Sequence, residues 1–130
     1  MRTSRRAVWF LAVGGAATLV HWAVVVALVE GITARPLPAN VAGWLVAFCV
    51  SFLGHHKLSF RGHQAPAAAA AWRFFIVSAS GFMLNQLAYA LLLAKTDLSY
   101  ALLLGLVLAG VSLATYVASR WWVFSHRRAV

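Results

Sequence analysis

The sequence predicts an all-α membrane protein with four transmembrane helices, arranged as two parallel two-helix repeats with both termini in the cytoplasm. Three observations predict it. Apolar residues make up 63% of the 130 residues and charged ones only 10%. A domain of that composition lacks the polar surface it would need in water, so the bilayer must act as solvent for much of it. The bases are also sorted by position: Arg2, Arg5 and Arg6, then Lys57, Arg61 and Arg73, then Arg120, Arg127 and Arg128. The remaining two, Arg35 and Lys95, share short connections with the only acids, Glu30 and Asp97. Basic and neutral flanks that alternate along four apolar runs are the positive-inside pattern. Finally, the chain repeats itself at an offset of 64 positions, which places Phe10 on Phe74, Val13 on Val77 and His21 on Asn85. The same offset places Ser51 on Thr115, Phe52 on Tyr116, His56 on Arg120 and Phe60 on Phe124. Each unit crosses twice, so the second starts on the same side as the first and the repeats are parallel.

The first span is expected from Val8 to Val29, interrupted by Thr18 and His21. Ser4-Arg5-Arg6 imitates the start of an export signal, but the apolar run behind it exceeds the roughly 7–15 residues of a signal peptide and reads as a retained span. The second span runs from Pro38 to Gly54 and is short unless Phe52 to Phe60 continues it as an interfacial helix. The third covers Trp72 to Ala94 and the fourth Leu98 to Ser119, each near the roughly 20 residues that cross a hydrocarbon core. Arg35-Pro36-Leu37-Pro38 breaks the turn between the first two spans. The connection Arg61 to Ala71 ends in alanines, as a helical lead-in or a plain linker. One membrane domain therefore covers residues 1–130, with repeat one at 8–60, a cytoplasmic connection at 61–71 and repeat two at 72–124.

Several function classes are excluded. The formal charge is +9, but the bases form no stripe across a soluble face, which argues against nucleic acid and for anionic lipid headgroups or an anionic substrate. The single Cys49 leaves no disulfide framework and no metal quartet, and reads as a small buried apolar residue. No glycine-rich phosphate loop is present, and the two acids stand at span ends, so neither ATP hydrolysis nor a carboxylate-based hydrolase or glycosyltransferase site can be assembled. The chain is not expected to be an enzyme or to carry a cofactor or metal.

Polar side chains inside hydrocarbon are costly and normally face a partner helix or a cavity. Gly14, Thr18, His21 and Val25 recur at helical spacing in the first span, and Ser78, Phe82, Asn85 and Tyr89, with Gln86 beside them, form the matching stripe in the third. The second span offers Asn40, Gly43, Ala47, Ser51 and Gly54, and the fourth Gly105, Ala109, Ser112, Tyr116 and Ser119. Helix packing accounts for most of the small residues. Thr18, His21, Asn40, Asn85, Gln86, Ser112 and Tyr116 are the candidates for an intramembrane polar path. His21 is a candidate for substrate or proton contact, the alternative being a neutral histidine bonded to Asn85 or to a backbone carbonyl.

A second constellation stands at the cytoplasmic ends of spans two and four. It reads His55-His56-Lys57-Leu58-Ser59-Phe60 and Ser119-Arg120-Trp121-Trp122-Val123-Phe124. Cations beside aromatics at the membrane edge suit a lipid phosphate, and they equally suit an ordinary interfacial anchor. Its recurrence in register with the repeat makes Arg120, Lys57, His56, Trp121 and Trp122 candidates for lipid-phosphate binding.

These pieces together resemble the GtrA-like family of small four-span bacterial membrane proteins, over about Trp9 to Phe124. The resemblance is carried by Phe10-Leu11-Ala12-Val13-Gly14 followed by Thr18, by Ala39-Asn40, by Phe52 to Phe60, by Arg73-Phe74 and Asn85, and by Ser119 to Phe124. The first ending departs from the family pattern, with His55, His56 and Leu58 where Asn, then Arg or Lys, then Trp are usual; this leaves Lys57 as the alternative to His56 for the basic contact. The resemblance implies movement of a polyprenyl-phosphate-linked sugar from the inner to the outer leaflet of the bacterial cell membrane, for surface polysaccharide or glycan synthesis. A membrane glycosyltransferase is then the expected partner. A homodimer is expected too, because four thin helices enclose so large a lipid poorly. The alternatives are a non-transporting scaffold that recruits a glycosyltransferase, and a small-molecule exporter.

Overall fold

The computed structural model describes residues 2–54, 57 and 67–126. They form four helices, α1 Arg2–Ile32, α2 Pro36–Gly54, α3 Ala67–Lys95 and α4 Tyr100–His126. Stretches in three of them are long and apolar enough to cross a membrane: Val8–Ile32, Pro36–Gly54 and Phe75–Lys95. Helix α4 contributes a shorter apolar stretch, Tyr100–Ala114, and continues to His126.

Local chemistry sets the helix ends. Helix α1 stops where Thr33 takes a left-handed backbone (φ 54°), and the Ala34 N–H folds back to the Leu28 carbonyl at 3.1 Å. Pro36 then opens α2, where its fixed φ suits a helix start and its missing N–H leaves no bond unmade. Ser99 caps α4: its hydroxyl accepts from the Leu102 N–H at 3.3 Å and its carbonyl from the Leu103 N–H at 3.0 Å. The two short connections make α1–α2 and α3–α4 antiparallel hairpins with their turns at one end of the bundle, the turn end; the opposite end is the terminal end.

Helices α2 and α3 also run antiparallel, since Asn40 meets Asn85, Trp44 meets Ser78 and Phe48 meets Phe75. Helices α1 and α4 close the ring near the turn end. There the Trp22 indole donates to the Ala101 carbonyl at 2.9 Å, and the Tyr100 hydroxyl donates to Glu30 Oε1 at 2.5 Å. The buried apolar cluster lies at the same end and comprises Val25, Ala39, Tyr89, Leu103, Leu104, Val107 and Leu108. Leu11, Leu19, Val77, Met83 and Leu84 point outward, an apolar exterior that suits hydrocarbon rather than water.

Three sequence expectations change. Cys49 is exposed, not buried; lipid-facing positions are as apolar as the core, so residue type does not separate them. Helix α1 begins before Val8 and α3 at Ala67, because an apolar run marks membrane depth while the helix extends beyond it. The alanine-rich segment 67–71 is thus a helical lead-in. On α4 the core face is Leu103, Leu104, Val107 and Leu108, whereas Ala109 and Ser112 of the small-residue stripe are exposed. Whether Phe52 to Phe60 extends α2 concerns residues 55, 56 and 58–60, which lie outside the described residues.

Helices α1 and α2 approach backbone to backbone at Gly43. A Cβ there would stand 2.8 Å from the His21 carbonyl oxygen, the His21 ring and the Val25 side chain. Because one of those atoms is backbone, Gly43→Ala must push α1 and α2 apart. We expect a loss of about 1–3 kcal/mol in detergent unfolding titrations. Gly110→Ala, whose Cβ would meet nothing within 4 Å, should be neutral or stabilising by up to about 1 kcal/mol.

Candidate functional site

His21, Asn40 and Asn85 are buried in the bundle interior, with Asn40 fully enclosed at 0% exposure. They come from three helices because each sits on its helix's inward face: Val13, Ala17, His21 and Val25 on α1, Ala39, Asn40, Gly43 and Ala47 on α2, and Phe82, Asn85 and Tyr89 on α3. The spacing of three to four residues is that of one helix face.

Asn40 is the hub. Its amide nitrogen donates to Asn85 Oδ1 at 2.9 Å and to Gln86 Oε1 at 2.7 Å, and its Oδ1 lies 2.6 Å from His21 Nε2. Gln86 Nε2 in turn donates to the Leu37 carbonyl at 3.1 Å. A backbone carbonyl only accepts, so this last bond orients the whole chain of groups. The Gln86 end at Leu37 must be its NH2, so its oxygen faces Asn40. Asn40 therefore presents NH2 to Gln86 and Asn85 and its oxygen to His21, and His21 Nε2 must carry a proton. The other ring nitrogen of a neutral His21 is then an acceptor.

Beside this network is a cavity of about 130 Å³, lined by His21, Trp44, Phe82, Asn85, Leu108 and Ser112 among others. At about 30 Å³ per water it has room for roughly four, and His21, Asn85 and Ser112 are the polar groups on a largely apolar wall. The Trp44 ring stacks on Phe82 (centroids 4.7 Å apart, planes at 10°), and its indole donates to Ser78 Oγ at 2.8 Å. Among the described residues no buried side-chain nitrogen or oxygen lacks a partner, and no three His, Cys, Asp or Glu side chains gather as metal ligands.

The sequence candidates thus fall into separate places. His21, Asn40, Asn85 and Gln86 form one network. From the sequence His21 and Asn85 are expected to face each other or a shared cavity; the structure sets Asn40 between them, and both line the cavity. Ser112 lines the same cavity from α4. Thr18 stands apart, its hydroxyl donating to the Gly14 carbonyl of its own helix at 2.9 Å. Lys57 is exposed. Tyr116, Arg120, Trp121 and Trp122 stand on α4 with side chains outside the described residues, as His56 is altogether. Sequence reasoning passed over Trp22, Trp44 and the Glu30–Tyr100 bond. An indole N–H within an apolar span must find an acceptor, and that signal could have marked both tryptophans.

The GtrA/DPMS transmembrane domain is the family whose model matches the chain, over residues 9–124. Comparison with curated proteins gives no significant match, and neither does comparison with solved structures.

Interhelical polar bonds in membranes are worth about 0.6–2 kcal/mol each. Asn40 makes three and Asn85 one of them. Asn40→Ala should therefore destabilise the folded protein clearly more than Asn85→Ala in detergent unfolding, and a double-mutant cycle on the pair should return a coupling of about 0.6–2 kcal/mol.

Proposed function

The chain belongs to the GtrA/DPMS transmembrane-domain family, and on that premise we propose that it moves a polyprenyl-phosphate-linked sugar from the inner to the outer leaflet of a bacterial cell membrane. The observation that carries the reading is the buried His21–Asn40–Asn85–Gln86 network beside a cavity, inside an otherwise apolar bundle. A sugar headgroup crossing hydrocarbon must exchange its bonds to water for bonds to protein, and these amides and the imidazole supply both donors and acceptors at mid-span. The phosphate would be met at the terminal end by Arg120 and Lys57, with His56, Trp121 and Trp122 at headgroup depth.

In this reading both termini are cytoplasmic, the two hairpins are parallel repeats, and the protein works as a homodimer with a membrane glycosyltransferase supplying or consuming the substrate. With no nucleotide site in the sequence, movement runs down a substrate gradient or couples to protons through His21. Glu30, the one acid within a helix, is bonded to Tyr100 at the turn end and not at mid-span, which supports a lipid-linked sugar over a proton-driven small-molecule exporter. A second reading has its own support. Since the buried polar network is satisfied internally, it also suits a static strut in a scaffold that recruits a glycosyltransferase.

Reconstitution into liposomes with a defined polyprenyl-phosphate sugar separates the two, with flipping read as protection from a membrane-impermeant reagent. If the flippase reading holds, His21→Ala abolishes flipping while the protein stays folded, and His21→Asn separates bonding from titration: full flipping by Asn rules out a proton role. Arg120→Ala should lose substrate binding severely and Arg120→Lys less, because a point charge keeps attraction but loses the planar fork. Arg127→Ala should change little. Normal transport in both His21 variants would transfer support to the scaffold. Orientation is tested separately. Cysteines placed at Arg35 and Gly62 in a Cys49-free chain should label from opposite sides of intact cells, and labelling of Gly62 from outside would invert every leaflet assignment.

A further inference from the structure

The ring of helices is closed unevenly. Toward the turn end α1 and α4 are joined by the Trp22–Ala101 and Glu30–Tyr100 bonds. Toward the terminal end they part, leaving an open groove of about 690 Å³ whose walls include Leu11, Gly15 and Thr18 on α1 and Gly105, Ala109 and Ser112 on α4. From Leu11 to Trp22 the α1 wall rises about 17 Å at 1.5 Å per residue, close to half of a roughly 30 Å hydrocarbon core.

The two α1 glycines of this groove are not there to let helices touch. A Cβ on Gly14 or Gly15 would meet nothing within 4 Å, whereas one on Gly43 or Gly54 would collide with α1. The α1 glycines keep a hollow that this chain leaves unfilled. On its inner side the groove shares Leu108 and Ser112 with the His21 cavity. At its shallow end both walls lead to bases, since Arg6 precedes Gly14 by two helical turns and Arg120 follows Ser112 by two. An apolar trough about one leaflet deep, with the helix positions of two bases beyond its mouth and Ser112 on its inner side, is complementary to an amphiphile with a long apolar chain and an anionic headgroup.

We infer that the α1–α4 seam is the prenyl-chain subsite and the lateral access route of the lipid-linked substrate. The chain lies along Gly14, Gly15, Gly105 and Ala109, and the phosphate starts between the helix positions of Arg6 and Arg120. The headgroup reaches the His21 cavity past Leu108 and Ser112. The cavity is too small for a sugar as it stands, so α1 and α4 must part further there, at the seam where the bundle is already open. This inference rests on the lipid-linked sugar reading.

The test uses the full chain in vesicles with a polyprenyl phosphate carrying a photoreactive diazirine in its chain, and transport of sugar phosphates on long and two-isoprene chains. In the variant Gly15→Leu/Ala109→Leu the groove is filled. We expect photolabelling on α1 and α4 to fall about tenfold and the preference for the long-chain substrate to fall by a similar factor. Gly110→Leu, off the groove and in open space, should label and transport as the unmodified chain does. Unchanged labelling in the filled variant overturns the subsite, as does equal loss of transport for both chain lengths. Labelling matched by a diazirine phosphatidylglycerol also overturns it, since the groove would then hold bulk lipid. So does a disulfide between copies formed by Gly15→Cys in a Cys49→Ser chain, since a second copy would then fill the seam. If the unmodified chain transports neither substrate, the flipping reading fails by itself, and photolabelling still decides where a prenyl phosphate binds.

Discussion

One fully enclosed primary amide constrains this bundle more than any other group. Asn40 has no water to turn to, and leaving its donors and acceptor unpaired in hydrocarbon would cost several kcal/mol. Its partners lie on α1 and α3, so the bonds form only when three helices hold one register. Gly43, one turn further along α2, removes the side chain that would keep α1 from coming that close. Apolar packing alone could not set this register, because lipid tails solvate leucine as well as a neighbouring helix does.

Helix α4 stands outside that network. It is held through the Tyr89 hydroxyl, which donates to the Tyr100 carbonyl at 3.1 Å, through Trp22 and Glu30, and through leucine packing, all toward the turn end. Among the described residues, three helices are locked by directional bonds, and the bonds that hold the fourth lie toward the turn end. The rigidity of the Asn40 network suits a static strut, and it equally suits a fixed polar surface beside a headgroup path. In the proposed flippase a polar surface would stay put while one wall moves, and α4 is the helix that takes no part in the Asn40 bonds.

Much of the architecture was legible in the sequence. Long apolar runs separated by Arg35-Pro36-Leu37-Pro38 and by Lys95 to Ser99 marked four helices and their turns, and polar residues at helical spacing marked His21, Asn40 and Asn85. What stayed hidden was who bonds to whom. The offset of 64 pairs His21 with Asn85, but it puts Asn40 on Leu104 and Gly43 on Val107. The residue that joins the pair has no counterpart in the second half, so self-similarity could not reveal it. Burial was illegible for a different reason. In hydrocarbon the inside and the outside of a bundle are both apolar, so Cys49 could be taken for core and the small residues of α4 for a packing face. Only the contacts reveal that leucines fill the α4 core and that Ala109 and Ser112 look onto a groove.

Side-chain volume explains why one seam is shut and the other open. Between α2 and α3 the space is filled by aromatic rings: Trp44 stacks on Phe82, tilts against Phe75 at 5.6 Å, and Phe48 meets Phe75 edge-on at 5.5 Å. Between α1 and α4 the residues that line the groove include Gly14, Gly15, Gly105 and Ala109 among larger ones such as Leu11 and Leu108. Rings that interlock cannot part without losing large contact areas at once, whereas glycines facing across a hollow lose almost nothing. Separating α1 from α4 below Trp22 breaks none of the Asn40 bonds, because no α4 residue takes part in them. Separating α2 from α3 would break two, along with the Trp44–Ser78 bond. Of these two seams the less costly to open is therefore α1–α4, and it leads from the lipid toward the polar network without breaking the Asn40 bonds.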